Sequence, residues 1–251
     1  MRIAVLDDEP AELSRIEETL SSALSLDGQP PHLHMFSDSG HLLRQLKRET
    51  FDVLILDWQV PQISGLLVLQ WAQEHLSPPP AVIMLTAHNA ESDVVQALNA
   101  GASDYICKPY RPAEFIARVR NVLRHRLPNN TESPKHLTFG RIVFDMAEES
   151  LFLDGALVSL TPREYQLALL LFKNQERPLS RQYLYEHLWP REKEFVSRSL
   201  DTHVYRLRAK LQLTAEYGWT LSTIYGYGYR LSSIDGLVHE PRGTKPDPKY
   251  W

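Results

Sequence analysis

The residues from 53 to 56 are the feature that most limits how this chain can fold. Val53, Leu54, Ile55 and Leu56 are all apolar, and an aspartate stands on either side of the run. A run this short, without a polar position, is typical of a strand that is buried on both faces of a sheet. In open α/β sheets the ligand site lies beyond the carboxyl ends of the strands, which is where Asp57 follows.

Three other segments have the same form, a short apolar run that ends in polar residues. They are Ile3–Leu6 before Asp7 and Asp8, Val82–Leu85 before Thr86, and Tyr105–Cys107 before Lys108. If the four strands are parallel neighbours, their ends bring three carboxylates, a hydroxyl and an ammonium to one edge of the sheet. Each residue by itself is equally well explained as a helix cap or a surface turn. That explanation is poor for five such residues at successive strand ends.

Such a group of side chains predicts phosphoryl transfer. Clustered carboxylates repel one another unless a cation lies among them, and oxygen ligands of this kind suit Mg²⁺. A lysine supplies a point charge for a phosphate oxygen, and a carboxylate can be the nucleophile that forms an aspartyl-phosphate. We therefore predict that Asp57 accepts a phosphoryl group, whose charge Mg²⁺ and Lys108 neutralise.

The order and spacing of these residues resembles the receiver domain of two-component response regulators, and Pro61 and Gly65 also match that pattern. The resemblance implies that Asp57 is the phosphoacceptor. It implies that the ligands of Mg²⁺ come from Asp8, Asp57 and the backbone carbonyl of Gln59, with Asp7 holding a metal-bound water. It also implies that the residues that contact the phosphoryl group or act as the switch are Thr86, Ala87, Tyr105 and Lys108.

Alternating strands and helices over residues 1–127 predict an α/β fold, a doubly wound five-stranded parallel sheet of the flavodoxin-like receiver type. Residues 128–135 contain two prolines and no apolar residue, a composition typical of a linker. We place a second domain at residues 136–232 and a polar C-terminal tail at 233–251.

The second domain begins with short segments of β-forming residues at 141–144, 151–153 and 156–160. A capping box with proline at the first helical position, Thr161 to Glu164, then opens a helix. A second helix begins at Ser180, a third covers residues 197–211, and a hairpin follows at 219–231. This order predicts a winged helix-turn-helix α+β domain.

The third of these helices is amphipathic, with four aliphatic residues on one face and a basic, partly planar opposite face that suits the major groove of DNA. Together these segments resemble the DNA-binding domain of the OmpR/PhoB family over residues 137–231. The resemblance implies that the residues facing the groove are Arg198, Thr202, Tyr205 and Arg206, and that those touching phosphates are His203, Arg208 and Lys210. In the wing, where the family often has an arginine, this chain has Tyr225.

In the same family the fourth helix, fifth strand and fifth helix of the receiver form the active dimer through charge pairs. The resemblance assigns to this surface Asp104, Arg118, Glu114 and Arg120. The usual partner positions of Glu114 and Arg120 hold Val94 and Ser103, so the predicted dimer surface is more apolar than the family pattern.

Composition limits the compartment and the partners. The formal net charge is −4, so any affinity for DNA has to come from a local basic face. The single cysteine, Cys107, excludes an internal disulfide, and we expect it to be buried in its strand. We expect no signal peptide and no membrane span, and hence a cytoplasmic protein.

We predict a DNA-binding transcriptional response regulator of a two-component system. A sensor histidine kinase would phosphorylate Asp57, and the resulting homodimer would bind double-stranded promoter DNA and contact RNA polymerase. The protein would not be an enzyme, apart from slow autodephosphorylation. Two alternatives stay open, a regulator that binds DNA without phosphorylation and a Mg²⁺-dependent phosphohydrolase. The hydrolase is disfavoured because Gln59 stands where the haloacid dehalogenase pattern has a carboxylate.

Overall fold

The computed structural model describes residues 1–24, 30–126, 135–189 and 197–234, without the side chains of residues 125–126 and 197–199. The chain divides into two compact units, Met1–Asn129 and Asn130–Trp251. Most of the predicted linker and tail lies outside the described residues, so the predicted domain limits stay a prediction. Within the described ranges, every helix is too short or too polar to cross a bilayer.

The first unit is a parallel sheet with helices on both faces. Its strands are β1 (Arg2–Leu6), β2 (His32–Phe36), β3 (Val53–Leu56), β4 (Ala81–Thr86) and β5 (Asp104–Cys107). Its helices are α1 (Pro10–Ala23), α2 (Ser39–Leu46), α3 (Gly65–His75), α4 (Glu91–Asn99) and α5 (Pro112–Arg126). The strands pair in the order β2-β1-β3-β4-β5, all parallel, which confirms the predicted doubly wound sheet.

The apolar run of β3 is buried on both faces, as its composition predicts. Val53 and Ile55 belong to the cluster that packs against α1 and α5, whereas Leu54 and Leu56 belong to the cluster with α2 and α3. Successive residues of a strand point to opposite faces, so a sheet that is covered twice needs an apolar residue at every position.

The strand order gathers the polar ends at one edge. β1 and β4 both pair with β3, and β5 pairs with β4, so four neighbouring strands end side by side. Asp7, Asp57, Thr86 and Lys108 lie at or directly after those ends. Because all these strands are parallel, one crevice receives them.

The burial predicted for Cys107 is wrong, because the residue is exposed. It is the last residue of β5, which lies at the edge of the sheet. The thiol lies 3.7 Å from the carbonyl oxygen of His88.

In its described residues, the second unit combines two small antiparallel sheets with three α-helices. In chain order its elements are β6 (His136–Phe139), β7 (Ile142–Asp145), β8 (Ser150–Leu153), β9 (Ala156–Leu157), α6 (Pro162–Lys173), β10 (Leu179–Ser180), α7 (Arg181–Leu188), α8 (Ser197–Lys210), a 3₁₀ turn (Ala215–Tyr217), β11 (Trp219–Ile224) and β12 (Gly228–Ser233). The sheets have the orders β6-β7-β8-β9 and β10-β12-β11. This is the predicted winged helix-turn-helix architecture; β9 is shorter than predicted, and β6 and β10 were not predicted.

Local signals account for much of this unit. Asp154 and Gly155 have φ values of 51° and 78°, as a two-residue hairpin turn requires. Thr161 and Glu164 form the predicted capping box at the start of α6. Ser180 caps α7, its hydroxyl accepting a hydrogen bond from the amide of Tyr183 at 3.1 Å.

A buried arginine closes the amino-terminal end of the sheet in the first unit. Arg2 is 2% exposed and its Nη1 lies 2.8 Å from Glu49. Its Nε and Nη2 both lie 3.2 Å from Nε2 of His34. A guanidinium only donates hydrogen bonds, so this ring nitrogen must be an unprotonated acceptor. Burial, and then the charge of Arg2, lower the pKa of His34 to about 4.

This histidine makes the first unit sensitive to acid. At pH values between the ordinary pKa of histidine and about 4, His34 is protonated in the unfolded chain but not in the folded chain. The free energy of unfolding therefore decreases as the pH falls through this range. Allowing for partial solvent exposure, we expect a loss of about 1–2.5 kcal/mol in the free energy of unfolding between pH 7 and pH 4.5. Urea denaturation should show a smaller loss in His34→Gln, whose amide oxygen still accepts from Arg2. Equal losses in the two proteins would contradict this assignment.

Candidate functional site

The structure brings together the three carboxylates that the sequence predicted to be neighbours. Asp7 and Asp57 are 1% and 8% exposed, and Asp8 is exposed at the rim. One carboxylate oxygen of each lies within 4.8 Å of the others. Oxygen donors without nitrogen or sulfur ligands fit Mg²⁺, so these three aspartates could hold that ion.

Lys108 places its ammonium between two of these carboxylates. Its Nζ lies 2.5 Å from Oδ2 of Asp7 and 2.7 Å from Oδ2 of Asp57. Burial lowers the pKa of Lys108, but the hydrogen bonds to Asp57 and Asp7 outweigh it and the net shift is upward. Burial raises the pKa of Asp7 in spite of the bond from Lys108. The ammonium therefore stays charged and lies within reach of any group added to Asp57.

The backbone holds Asp57 in place. Its amide donates to the carbonyl of Leu6 at 2.8 Å, and its Oδ1 accepts from the amide of Gln59 at 3.2 Å. The first residue of α3, Gly65, packs against the carbonyl of Asp57 so closely that a Cβ there would lie 1.9 Å from that oxygen. The predicted role of the Gln59 carbonyl as a metal ligand stays a prediction.

Gly65→Ala is expected to destabilise the first unit and to slow phosphoryl uptake. The new methyl group would overlap with the Asp57 carbonyl, so α3 or the acceptor residue has to shift, at a cost of about 1–3 kcal/mol. Urea denaturation and uptake from a small phosphodonor measure the two effects. Gly40→Ala in α2 is the matched control, since the nearest atom to its Cβ is a side-chain oxygen at 3.3 Å. Equal stability of the Gly65 variant and the wild type would be inconsistent with this packing.

The two predicted switch residues meet at His88. The hydroxyl oxygen of Thr86, which is fully buried, accepts from the His88 amide at 3.4 Å. The hydroxyl of Tyr105 donates to the His88 carbonyl at 3.0 Å. Tyr105 is buried, which raises its pKa to about 12, so it remains a hydrogen-bond donor over the physiological range. Ala87, which lies between Thr86 and His88 in the chain, is exposed.

Three of the four residues predicted for a dimer surface lie together. Arg118 on α5 lies 3.1 Å from Asp104 and 3.0 Å from Glu114. Arg120 is not with them, because its guanidinium donates to the carbonyl of Ala23 at the end of α1. Two exposed aliphatic residues of α4 are Val95 and Leu98. A role for these residues in dimerisation stays a prediction.

The exposed face of α8 agrees with the face predicted from helical periodicity. Thr202, Tyr205 and Arg206 are exposed, whereas Leu200, Val204 and Leu207 are buried. The side chain of Arg198 lies outside the described residues. Tyr225, in the turn between β11 and β12, is fully exposed. The structure therefore presents three predicted groove residues and the predicted wing residue to solvent.

The residues predicted to touch phosphates are engaged within their own unit. Arg208 donates to the Leu221 carbonyl at 2.8 Å and to the Thr223 hydroxyl at 3.0 Å. Lys210 donates to the buried carboxylate of Glu164 at 2.8 Å. The ring of His203 lies edge-on to Trp189, with the ring centroids 5.6 Å apart. Contact of Arg208 or Lys210 with phosphate, which stays a prediction, would compete with these bonds.

One contact that was not predicted concerns the only acidic residue of α8. Asp201 lies 2.5 Å from Nη2 of Arg181, the first residue of α7, and also accepts from the hydroxyl of Tyr229 in β12. Arg181 thus neutralises this carboxylate beside the basic face. A lone acidic residue on a basic helix was a signal that a partner existed, but spacing alone could not identify Arg181.

Both units resemble domains of known proteins. Residues 3–120 match the response regulator receiver domain, and residues 155–231 match the C-terminal domain of transcriptional regulatory proteins. The phosphate regulon transcriptional regulatory protein PhoB of Pseudomonas aeruginosa is 31% identical over 232 residues, which cover 92% of this chain and 97% of PhoB. The chain belongs to the OmpR/PhoB family of two-component response regulators.

Two further relatives of this response regulator have the same extent of similarity. The DNA-binding response regulator MtrA of Mycolicibacterium smegmatis is 31% identical over 229 residues, covering 91% of this chain and 96% of MtrA. The transcriptional regulatory protein SrrA of Staphylococcus aureus is 31% identical over 234 residues, covering 91% of this chain and 94% of SrrA. The response regulator thus combines a receiver domain with a DNA-binding domain, and its relatives are transcriptional regulators.

Proposed function

We propose that this response regulator is switched by phosphorylation of Asp57 and then binds promoter DNA as a dimer. The observation that carries the proposal is the position of the Lys108 ammonium, 2.7 Å from Asp57 and 2.5 Å from Asp7, at the common edge of four parallel strands. A nucleophilic carboxylate beside a fixed cation is what phosphoryl transfer requires, because the transferred group carries negative charge.

A sensor histidine kinase supplies the phosphoryl group. One oxygen of Asp57 attacks phosphorus, the bond from phosphorus to the donor nitrogen breaks, and that electron pair remains on the donor. Lys108 then exchanges its hydrogen bond with Asp57 for one with a phosphoryl oxygen, while Asp7 still holds its ammonium. Asp8, Asp57 and the carbonyl of Gln59 would hold Mg²⁺, with Asp7 on a metal-bound water, and the ion would supply further neutralising charge. Slow hydrolysis of the acyl phosphate returns the protein to its resting state.

The phosphoryl group is read by the residues around β4. Thr86 and Ala87 contact the phosphoryl oxygens. Tyr105, the other switch residue, has its side chain turned inward in the phosphorylated state. In the structure, Tyr105 already points inward, toward the His88 carbonyl. The surface of α4, β5 and α5, with Asp104, Glu114 and Arg118, then pairs with a second copy. Arg120 can join this surface only by releasing the carbonyl of Ala23.

The second unit binds double-stranded promoter DNA. The major groove is faced by Arg198, Thr202, Tyr205 and Arg206. His203 touches the phosphate backbone of the DNA. Tyr225 approaches the minor groove from the wing. Two copies reach half-sites about one helical turn, ~10 bp, apart. The dimer contacts RNA polymerase and acts in the cytoplasm.

The domain limits that we propose are 1–127 for the receiver, 128–135 for the linker, 136–232 for the DNA-binding domain and 233–251 for the tail.

The test is selection of genomic DNA fragments by the full-length purified protein. One selection contains Mg²⁺ alone, and the other contains Mg²⁺ and beryllofluoride as a phosphoryl mimic. We expect a sequence with two half-sites to be enriched only with the mimic. Equal enrichment in both selections would overturn phosphorylation control and leave a regulator that binds DNA constitutively. No enrichment in either would overturn the proposed DNA-binding role.

A further inference from the structure

His88, which was not predicted as a switch residue, contacts several residues in and around the predicted switch pair. Its amide donates to Thr86 and its carbonyl accepts from Tyr105. Its imidazole is stacked on the indole of Trp58, the residue after Asp57, with the ring centroids 5.2 Å apart and the planes 9° apart. Its Nδ1 lies 3.0 Å from Oδ2 of Asp93, in the first turn of α4.

These contacts join two places that have to communicate. Trp58 and Thr86 adjoin the acceptor site, while Asp93 belongs to the helix that carries the exposed Val95 and Leu98. Any movement of Thr86 and Ala87 toward a phosphoryl group has to displace His88, which is the next residue in the chain. Nδ1 is the donor in the tautomer in which an oxygen of Asp93 accepts this bond. The His88 side chain thus contacts both Trp58, next to the acceptor residue, and the first turn of α4.

We propose that the His88 side chain is a positioning residue, which couples the phosphorylation state of Asp57 to the position of α4 through its bond to Asp93. The proposal rests on the phosphorylation of Asp57 that is proposed above. His88 touches neither the donor nor the acceptor oxygen in this mechanism. Its loss should therefore leave the loading of the site intact and weaken only the response to loading.

Three variants separate the bond from the stack. His88→Phe keeps an aromatic ring beside Trp58 but has no donor for Asp93. Asp93→Ala removes the acceptor and leaves the His88 ring on Trp58. Asp93→Asn keeps an oxygen that accepts from Nδ1, and so serves as the conservative rescue. The matched control is His75→Phe, because His75 also stacks on a tryptophan, Trp71, with the centroids 4.9 Å apart, but lies on α3.

The experiment compares two quantities in the full-length proteins. The first is the affinity for beryllofluoride with Mg²⁺, and the second is the gain in affinity for the selected DNA when the mimic is added. We expect His88→Phe and Asp93→Ala to bind the mimic within about 2-fold of the wild type, and their gain in DNA affinity to be at least about 5-fold smaller. Asp93→Asn and His75→Phe should retain the wild-type gain.

Amide hydrogen exchange of residues 91–99 gives a second readout that a purely structural role would not change. The mimic should alter this exchange in the wild type and much less in His88→Phe. A wild-type gain in both His88→Phe and Asp93→Ala would overturn the coupling role. Loss of mimic binding in these variants would also overturn it, by assigning His88 to the acceptor site itself. A wild type without any gain would overturn the proposed phosphorylation switch, which is a distinct result because the variants play no part in it.

Discussion

Asp57→Ala is expected to abolish phosphoryl uptake, with a loss of more than about 10³-fold, since the variant has no nucleophile at the acceptor position. Asp7 cannot replace it, because its carboxylate is 1% exposed and stays bonded to Lys108 at 2.5 Å. Asp8 is exposed and is one of the three carboxylates that could hold a metal ion. Intact-protein mass spectrometry after incubation with a small phosphodonor and Mg²⁺ measures the uptake.

The control for this variant is Asp38→Asn in the same unit. Asp38 caps α2 by accepting from the amide of His41, and asparagine caps helices equally well. We expect wild-type uptake in the control and no detectable uptake in Asp57→Ala. Uptake at the wild-type rate in Asp57→Ala would show that another residue is the phosphoacceptor.

Arg206→Ala is expected to cause the largest loss of DNA affinity among the exposed residues of α8 that the structure describes. A bidentate contact of arginine with a base is worth about 1–3 kcal/mol, and a dimer loses two of them. The affinity for the selected sequence should fall by at least about 30-fold, and discrimination at one base pair of each half-site should relax. Fluorescence anisotropy at a fixed salt concentration measures both effects, because the affinity of any DNA-binding protein depends on salt.

Lys173→Ala is the control for lost positive charge in the same unit, since Lys173 is exposed at the end of α6. We expect it to weaken binding only slightly, and equally for all sequences. Beryllofluoride binding should be unchanged in both variants, which would place the effect of Arg206 in the DNA-binding unit. An affinity of Arg206→Ala within about 2-fold of the wild type would remove this residue from the base-contacting set.

Several elements follow from short stretches of sequence, because their causes are local. The apolar run of β3 requires burial on both faces, and the capping box at Thr161 determines where α6 begins. The turn at Asp154 and Gly155 joins β8 to β9, and helical periodicity identifies which face of α8 is buried. Each of these depends on residues within a few positions of one another.

The acceptor site was predictable for a different reason. Lys108 and Asp7 are about a hundred positions apart in the sequence, yet parallel strands that end together bring them within 2.5 Å. In a doubly wound sheet, residues that follow successive strands therefore lie close together, and their proximity can be predicted from the repeated local pattern. Which residues carry the phosphoryl group and the metal remains a prediction for the experiments above.

Side-chain partners across the fold were decided only by tertiary structure. The family resemblance assigned Lys210 to the phosphate contacts, but the buried carboxylate of Glu164 holds its ammonium. The resemblance also assigned Arg120 to the dimer surface, but the guanidinium donates to the carbonyl of Ala23. A long, flexible side chain reaches several ångströms in any direction, so its partner depends on what the rest of the fold places nearby.

His88 shows the same limit at the switch. A histidine two positions after Thr86 has no distinctive sequence pattern, and its importance arises from Trp58, Asp93 and Tyr105, which belong to three other segments. The sequence by itself determined the parallel sheet of the first unit, the start of α6, the sheet edge that collects the acidic residues and the exposed face of α8. Tertiary structure decided which charges are already paired and which residue joins the acceptor site to α4, because those contacts exist only when distant segments pack together.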